Sequence, residues 1–293
     1  MKHDYKIVRL KNGAFSVHSL AHAETCHPVV GPAAEAENLY INQLRLPDRL
    51  RAHRGPFVIW DIGLGAAANV LTLLRVTRDI PCEMRIVSFD QTIELLAFGL
   101  EHAGELEYFA GYESCVRSLL QQHRTGFSNG AQQIAWELHL ADFPSWLAQF
   151  VSAADMKNKL PTPDLILFDP FSPAKNPAMW TQALFENLFR AINPERPCLM
   201  PTYSRSTMLR VTLLLAGFFV GVGGATGEKE ETTMAATQAA LLERPLGRNW
   251  LERVKKSDSA EPLSDPIYRQ APIAEASWKK LLAHPQFASD LGL

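Results

Sequence analysis

Three carboxylates in this sequence each close a short apolar run. Asp61 follows Phe57-Val58-Ile59-Trp60, Asp90 follows Met84 to Phe89, and Asp169 follows Leu165-Ile166-Leu167-Phe168. A carboxylate so placed can take a proton, hold a cation or accept from hydroxyls. Asp169 is the most informative, because it opens Asp169-Pro170-Phe171-Ser172-Pro173-Ala174-Lys175-Asn176-Pro177. Proline cannot continue a sheet ladder, so the apolar run must stop there. Asp169 is therefore expected at the carboxyl end of a central strand, above a stiff loop. In open α/β sheets ligands bind at that edge. A lone aspartate here would more often cap the next helix; the Pro-Ala-Lys-Asn-Pro loop beside it favours a working acid.

A second group is Asp61-Ile62-Gly63-Leu64-Gly65, between a strand-like run and the helix formers Ala66 to Val76. Strand, Gly-x-Gly turn and helix make up a nucleotide-binding crossover, in which glycines allow tight turns and close approach of a ligand. A lone Gly-x-Gly is weak; this context strengthens it. The acid before the glycines favours S-adenosyl-L-methionine over a dinucleotide. A carboxylate repels a pyrophosphate and attracts the methionine ammonium group. Asp90 lies roughly 20 residues past the turn, where an acid accepts from ribose hydroxyls. Asp142, in Ala141-Asp142-Phe143-Pro144, reads equally as an adenine contact and as the N-cap of a following helix.

Regular elements must carry these groups. Tyr5 to Leu10 and Ala14 to Leu20 flank Lys11-Asn12-Gly13, a strong hairpin pattern. Gly31 to Ile41 reads as a short helix. Strands are expected at Phe57–Asp61, Met84–Phe89, Trp136–Leu140, Leu165–Phe168 and Pro197–Tyr203. Helices are expected at Ile93–His102, Tyr112–Arg124, Pro144–Val151, Pro177–Ile192 and Ser206–Ala216, with Gly126 to Gly130 a loop. Phe218–Gly223 and Thr232–Thr237 form an antiparallel pair around Thr226-Gly227-Glu228-Lys229. This alternation predicts an α/β fold, a doubly wound and mostly parallel seven-stranded sheet with one reversed strand. Residues 1–54 would be a hairpin and lead-in helix, 55–238 the main domain, and 239–293 a C-terminal extension. Arg244, Arg248, Arg253, Lys255, Lys256, Arg269, Lys279 and Lys280 make that extension locally basic.

Composition narrows the choices further. With 293 residues and 47% apolar content the chain can build a sizeable core. A net charge of −2 gives no global case for nucleic acid, so any basic surface is a local patch. One candidate is Arg45, Arg49, Arg51, His53 and Arg54, which reads as a solvated helix face or as a phosphate-contacting patch. Cys26, Cys82, Cys115 and Cys198 form no CxxC pair, which suits reduced thiols in a cytoplasmic protein and argues against a bound metal. The N-terminus lacks a signal-peptide core, and glycines interrupt Val211 to Ala225, the most membrane-like stretch.

Several stretches together resemble one family, the methyltransferase that completes 5-methylaminomethyl-2-thiouridine at the tRNA wobble position. The most specific is Phe171-Ser172-Pro173-Ala174-Lys175-Asn176-Pro177-Ala178-Met179-Trp180-Thr181-Gln182, close to the family's Phe-Ala-Pro-Ala-Lys-Asn-Pro-x-Met-Trp. Ser88-Phe89-Asp90, Ala141-Asp142, Thr202-Tyr203-Ser204, Ala216-Gly217-Phe218 and Gly227-Glu228-Lys229 fall in family order, and Glu24-Thr25-Cys26-His27 through Tyr40 is similar to its N-terminal segment. The resemblance covers roughly Lys11 to Thr237 and implies a class I, Rossmann-like S-adenosylmethionine-dependent methyltransferase, standing alone without the oxidase domain fused to it in some bacteria. It departs at Ala67, where the glycine loop usually has its third glycine, and at Arg205-Ser206, where Ala-Gly is usual.

The resemblance implies that Asp61, Gly63, Gly65, Asn69, Asp90 and Asp142 surround the cofactor, with Glu35 a further candidate. Asp169 is expected to orient the substrate aminomethyl group and help deprotonate it. Lys175 would contact phosphate or brace the loop with Asn176, or be an exposed loop lysine. Tyr203 would stack on the base or fill the core. The substrate would be tRNA. An aminopropyltransferase of the spermidine synthase type shares much of this layout but carries a second acid where Ser172 stands. A binding protein that keeps the fold without activity is the other alternative.

Overall fold

The computed structural model describes residues 4–153, 160–193, 195–227 and 230–288. The chain divides into two compact units. The first comprises Met1–Phe143, Leu165–Phe171 and Gly224–Glu230; the second comprises Pro144–Asp164, Ser172–Gly223 and Glu231–Leu293.

The first unit begins with the expected hairpin, β1 (Tyr5–Arg9) against β2 (Phe15–Ser19), in the register Ile7 opposite Val17. A two-residue strand, β3 (Glu24–Thr25), adds to β2. The short helix expected at Gly31 to Ile41 is Pro32–Ala36 running into a wider π-helical turn, Glu37–Asn42. Helix Leu46–Ala52 follows.

Strands β4 (Phe57–Ile62), β5 (Cys82–Asp90), β6 (Arg124–Asn129), β7 (Gln132–Leu140) and β8 (Leu165–Phe168) lie in the order β8-β4-β5-β7-β6. The pairs β8-β4, β4-β5 and β5-β7 are parallel. Every residue of β4 and of β8 is buried, which explains the apolar runs Phe57–Trp60 and Leu165–Phe168. Helices Ala68–Thr77, Glu94–Glu101 and Glu113–Gln122 connect the strands.

β6 corrects the expectation of seven strands. Apart from β1–β3, the described residues form eight strands, because Arg124–Asn129 is a strand antiparallel to β7 rather than part of a loop. Gly126 and Gly130 suggested a loop, but Gly130-Ala131 is a two-residue hairpin turn closed by the Asn129–Gln132 pair. Gly130 has φ +60°, and its Cα faces the Arg78 carbonyl so closely that a Cβ would lie 2.5 Å from that oxygen. The Ala131 N–H donates to the same oxygen at 2.8 Å. β6 is an edge strand, exposed on alternate residues, and therefore weakly apolar.

The second unit holds β9 (Leu199–Thr202), β10 (Phe219–Gly223) and β11 (Thr232–Ala236), antiparallel in the order β10-β11-β9. Glu228 and Lys229 of the turn between β10 and β11 lie outside the described residues. The single helix expected over Pro177–Ile192 is two pieces, a 3₁₀ turn Pro177–Trp180 and helix Gln182–Ala191. Thr181 breaks them: its backbone is extended and its Oγ1 caps Leu184 N–H at 3.3 Å. Ser206 caps helix Thr207–Leu215 in the same way, accepting from Leu209 N–H at 3.1 Å.

The extension is structured where described. Helices Arg248–Lys256, Glu275–Leu282 and Pro285–Ala288 bury Leu251, Val254, Leu281 and Phe287. Gln286 clamps the outer edge of β10. Its Oε1 accepts from Val220 N–H at 2.8 Å, and its Nε2 donates to the carbonyls of Val220 at 2.8 Å and Leu246 at 2.9 Å. The four cysteines form no disulfide. Among the described residues no helix is long and apolar enough to cross a membrane.

The β6–β7 turn gives a direct stability test. Gly130→Val should destabilise the fold by about 2 kcal/mol or more, because a branched side chain must enter a left-handed conformation against the Arg78 carbonyl. Urea unfolding of the two proteins measures the loss; an unchanged midpoint would refute the turn geometry.

Candidate active site

Parallel register brings the three carboxylates together in the first unit. Asp61 stands opposite Ser88, and Ile62 stands opposite Phe89 on one side and Phe168 on the other. The carboxyl ends of β4, β5 and β8 are therefore level. The Asp169 N–H donates to the Ile62 carbonyl at 3.0 Å, which carries the β8–β4 ladder one residue further. The Gly63 N–H donates to the Phe89 carbonyl at 2.9 Å and starts the glycine turn. Gly63 has φ +90°, and a Cβ there would lie 3.0 Å from the Asp169 carbonyl oxygen. Only glycine lets the turn and the acid come this close.

Each carboxylate has its own support. The Asp61 Oδ2 accepts from Ser88 Oγ at 2.7 Å, and Ser88 Oγ accepts from the Trp136 indole at 2.9 Å. This buried relay fixes the Asp61 side chain. Burial pushes its carboxyl up to about 7; the Ser88 hydrogen bond pulls the other way, while the charges of Asp169 and Asp90 add to the rise. Asp90 accepts from the Gly65 N–H at 2.8 Å and the Gln91 N–H at 2.7 Å. Its carboxyl is also raised by burial, against the pull of these backbone donors.

The Asp169 Oδ2 accepts from Asn69 Nδ2 at 2.8 Å, and His27 Nε2 lies 3.5 Å from the same oxygen. On its other side His27 Nδ1 is 3.8 Å from Glu35 Oε2. Burial disfavours the charged imidazole, but Asp169 and Glu35 outweigh it and raise His27 to about 9. His27 is thus an imidazolium bracketed by two carboxylates at neutral pH. It has a left-handed backbone, φ 47°, and belongs to the segment after β3. The Tyr40 hydroxyl donates to the Phe168 carbonyl at 3.4 Å, and His22 stacks on Phe171 at 4.1 Å.

Sequence reasoning missed three members of this group. His27 and Tyr40 appeared only within a stretch similar to the family's N-terminus. Ser88 appeared only as a neighbour of Asp90. Their roles depend on register and a left-handed turn, which spacing does not announce.

The first unit brings Glu35, Asp61, Gly63, Gly65, Asn69, Asp90 and Asp169 together through these contacts. Asp142 follows Ala141, whose N–H donates to the Asp90 carbonyl at 2.9 Å, and its side chain is exposed. Lys175, Asn176 and Tyr203 belong to the second unit. There the Lys175 and Asn176 N–H groups both donate to the Ser172 carbonyl at 2.8 Å, closing a tight turn with the Lys175 side chain exposed. Tyr203 packs edge-to-face on Trp180 with ring centroids 6.0 Å apart.

The donor set suits S-adenosylmethionine. Asp61 Oδ1 and Asn69 Oδ1 are buried with no hydrogen-bond partner among the described residues. Buried orphan acceptors are costly and call for a donor-bearing ligand. An ammonium group beside Asp61 meets that demand, and Asp90 retains lone pairs for hydroxyls. Ala67 keeps the left-handed backbone of the absent glycine, φ 59°, at a cost of about 1 kcal/mol. Among the described residues no cluster of three His, Cys, Asp or Glu could hold a metal.

Known proteins place this arrangement. The family described as "S-adenosyl-L-methionine-dependent methyltransferase" matches residues 113–238. The tRNA 5-methylaminomethyl-2-thiouridine biosynthesis bifunctional protein MnmC of Aeromonas hydrophila is 31% identical over 235 residues, covering 73% of this chain and 34% of that protein. The protein of the same name from Cupriavidus metallidurans is 28% identical over 242 residues, covering 78% of this chain and 34% of its own length. The crystal structure of MnmC2 from Aquifex aeolicus superposes with a TM-score of 0.67 at 19% identity, covering 96% of this chain and 84% of that one. The fold and its strand-edge carboxylates define a class I S-adenosyl-L-methionine-dependent methyltransferase. Within that class the chain belongs to the tRNA 5-methylaminomethyl-2-thiouridine methyltransferase family. It spans about a third of the length of the bifunctional relatives that it matches.

Two outcomes follow from the electrostatics. Ser88→Ala removes the donor that counters the burial-driven rise of the Asp61 carboxyl. Cofactor affinity at pH 7 should fall about tenfold, the weight of one hydrogen bond to a charged group, and recover by pH 9 as Asp61 ionises; calorimetry at the two pH values checks this. The stability of the ligand-free protein should also depend on His27. Its folded pKa is raised above the ordinary 6.5, so its contribution is complete below that value and is lost as pH rises through about 9. The melting temperature should fall over that window, and His27→Asn should flatten the decline.

Proposed function

We propose that this chain is an S-adenosylmethionine-dependent N-methyltransferase acting on the aminomethyl group of a modified wobble uridine in tRNA. The observation that carries the reading is the seating of Asp169 on the glycine turn, its carboxylate held by Asn69 and His27. The names of the relatives supply the substrate. When bound, the cofactor supplies an electrophilic methyl group. The remaining work falls to the protein.

An alkylamine is mostly protonated at neutral pH and must shed a proton before its lone pair can react. Asp169 is the group that orients the ammonium and takes that proton, directly or through water. Asn69 fixes one oxygen of the carboxylate, so the acid does not need to reorganise when the substrate arrives. Asp61 and Asp90, with Gly63 and Gly65, form the cofactor side of the same site; Asp142 and Glu35 flank it. Lys175, Asn176 and Tyr203 are assigned to the substrate. Ser172 stands where an aminopropyltransferase needs a second acid, which weighs against that alternative.

Asp169→Asn keeps the shape and removes the base. Methylation of tRNA carrying the unmethylated aminomethyl group should drop about 10²–10⁴-fold, with cofactor affinity within a few-fold of wild type. Turnover that survives the substitution would remove Asp169 from the chemistry.

A further inference from the structure

The second unit contains a cavity of about 700 Å³ for which the chemistry above has no use. Arg205, Ser206 and Thr207 form one wall, at the start of helix Thr207–Leu215; Glu252, Arg253 and Lys256, on helix Arg248–Lys256, form the other. That second helix buries Leu251 and Val254, which turns its charged residues outward. Arg205, Arg253 and Lys256 are all exposed. Arg205 and Lys256 make no ion pair among the described residues. Arg253 lies 3.8 Å from Glu231, but that carboxylate is already 3.1 Å from the buried guanidinium of Arg210. Lys255 is drawn elsewhere, its Nζ 4.9 Å over the Trp278 ring.

We propose that this cavity is a docking subsite for the ribose–phosphate backbone of RNA, an inference that rests on the reading of tRNA as the substrate. The three cations suit phosphate oxygens, which arginine and lysine neutralise while carrying no sequence information. Ser206 and Thr207 add hydroxyls that donate or accept. Glu252 decides between anions. A carboxylate only accepts, so it repels a compact, highly charged anion but takes the donor of a ribose 2′-hydroxyl. A chain that alternates phosphates with hydroxyl donors satisfies all four charged groups at once. A DNA backbone satisfies only the cations.

The test uses the whole 293-residue chain, a tRNA transcript and DNA of the same sequence, with binding followed by fluorescence anisotropy across a salt series. For the double variant Arg205→Gln with Lys256→Gln, the tRNA dissociation constant should rise about tenfold or more. The slope of log affinity against log salt should shrink by about 2, one for each lost phosphate contact. Cofactor affinity and melting temperature should stay at wild-type values. Glu252→Gln should tighten DNA binding more than RNA binding and narrow the preference between them. A double variant with the wild-type affinity and slope overturns the subsite, whatever the methylation assay reports. A wild type that binds DNA as tightly as RNA, with no change in Glu252→Gln, overturns the ribose assignment. If the double variant loses RNA binding while the wild type transfers no methyl group to tRNA carrying the unmethylated aminomethyl group, the subsite stands and the proposed activity falls.

Discussion

Like charges crowded at one buried strand edge are the constraint around which the first unit is built. Three parallel strands end level, and each delivers a carboxyl group to the same small volume. Carboxylates so placed raise one another's proton affinity, and burial raises it further. The surroundings answer with a different device for each. Asp61 leans on a hydroxyl that is itself held by an indole, Asp90 on backbone amides of the turn and the strand end, and Asp169 on an amide side chain and an imidazolium. These supports meet only part of the demand. Oxygens on Asp61 and Asn69 left without partners among the described residues are the remaining deficit, and a cationic cofactor is the natural complement.

Much of this was legible beforehand, because buried parallel strands have a plain signature. β4 and β8 carry apolar runs, Phe57–Trp60 and Leu165–Phe168, each stopped by an aspartate with glycine or proline just beyond, so their positions and the placing of Asp61 and Asp169 at their carboxyl ends followed directly. β6 was not legible for the opposite reason. An exposed edge strand needs little apolar content, and its two glycines look like loop residues until the partner strand is in view. Thr181 could have been recognised as a cap, since threonine ahead of an amphipathic run is a familiar helix start; the prolines and the Met-Trp pair before it masked the break. His27 lies at a left-handed residue in an irregular segment. No periodicity points to such a position; only the assembled site does.

The extension repeats the lesson at a larger scale. Its polar and proline-rich composition concealed helices that each bury only one or two apolar side chains, such as Leu251 with Val254 and Leu281. Elements of that kind gain little from their own propensity and depend on the surface they cover. Composition exposed their charge, not their packing. The family placement, by contrast, drew on stretches in which several rules coincide. The Pro-Ala-Lys-Asn-Pro loop combines rigid backbone, a tight Ser172-centred turn and the residues that follow the strand-ending acid.

Gln286 shows what the last helices contribute beyond burial. A strand at the margin of a sheet presents a row of amides and carbonyls that any passing extended chain can annex. On β10 that row is already occupied. The segment around Arg244 and Leu246 pairs with Val220 and Val222, and one glutamine side chain engages both the amide and the carbonyl of Val220 as a visiting strand would. The C-terminal helices thereby act as a stopper on this margin, leaving fewer open amides and carbonyls for another extended chain to pair with.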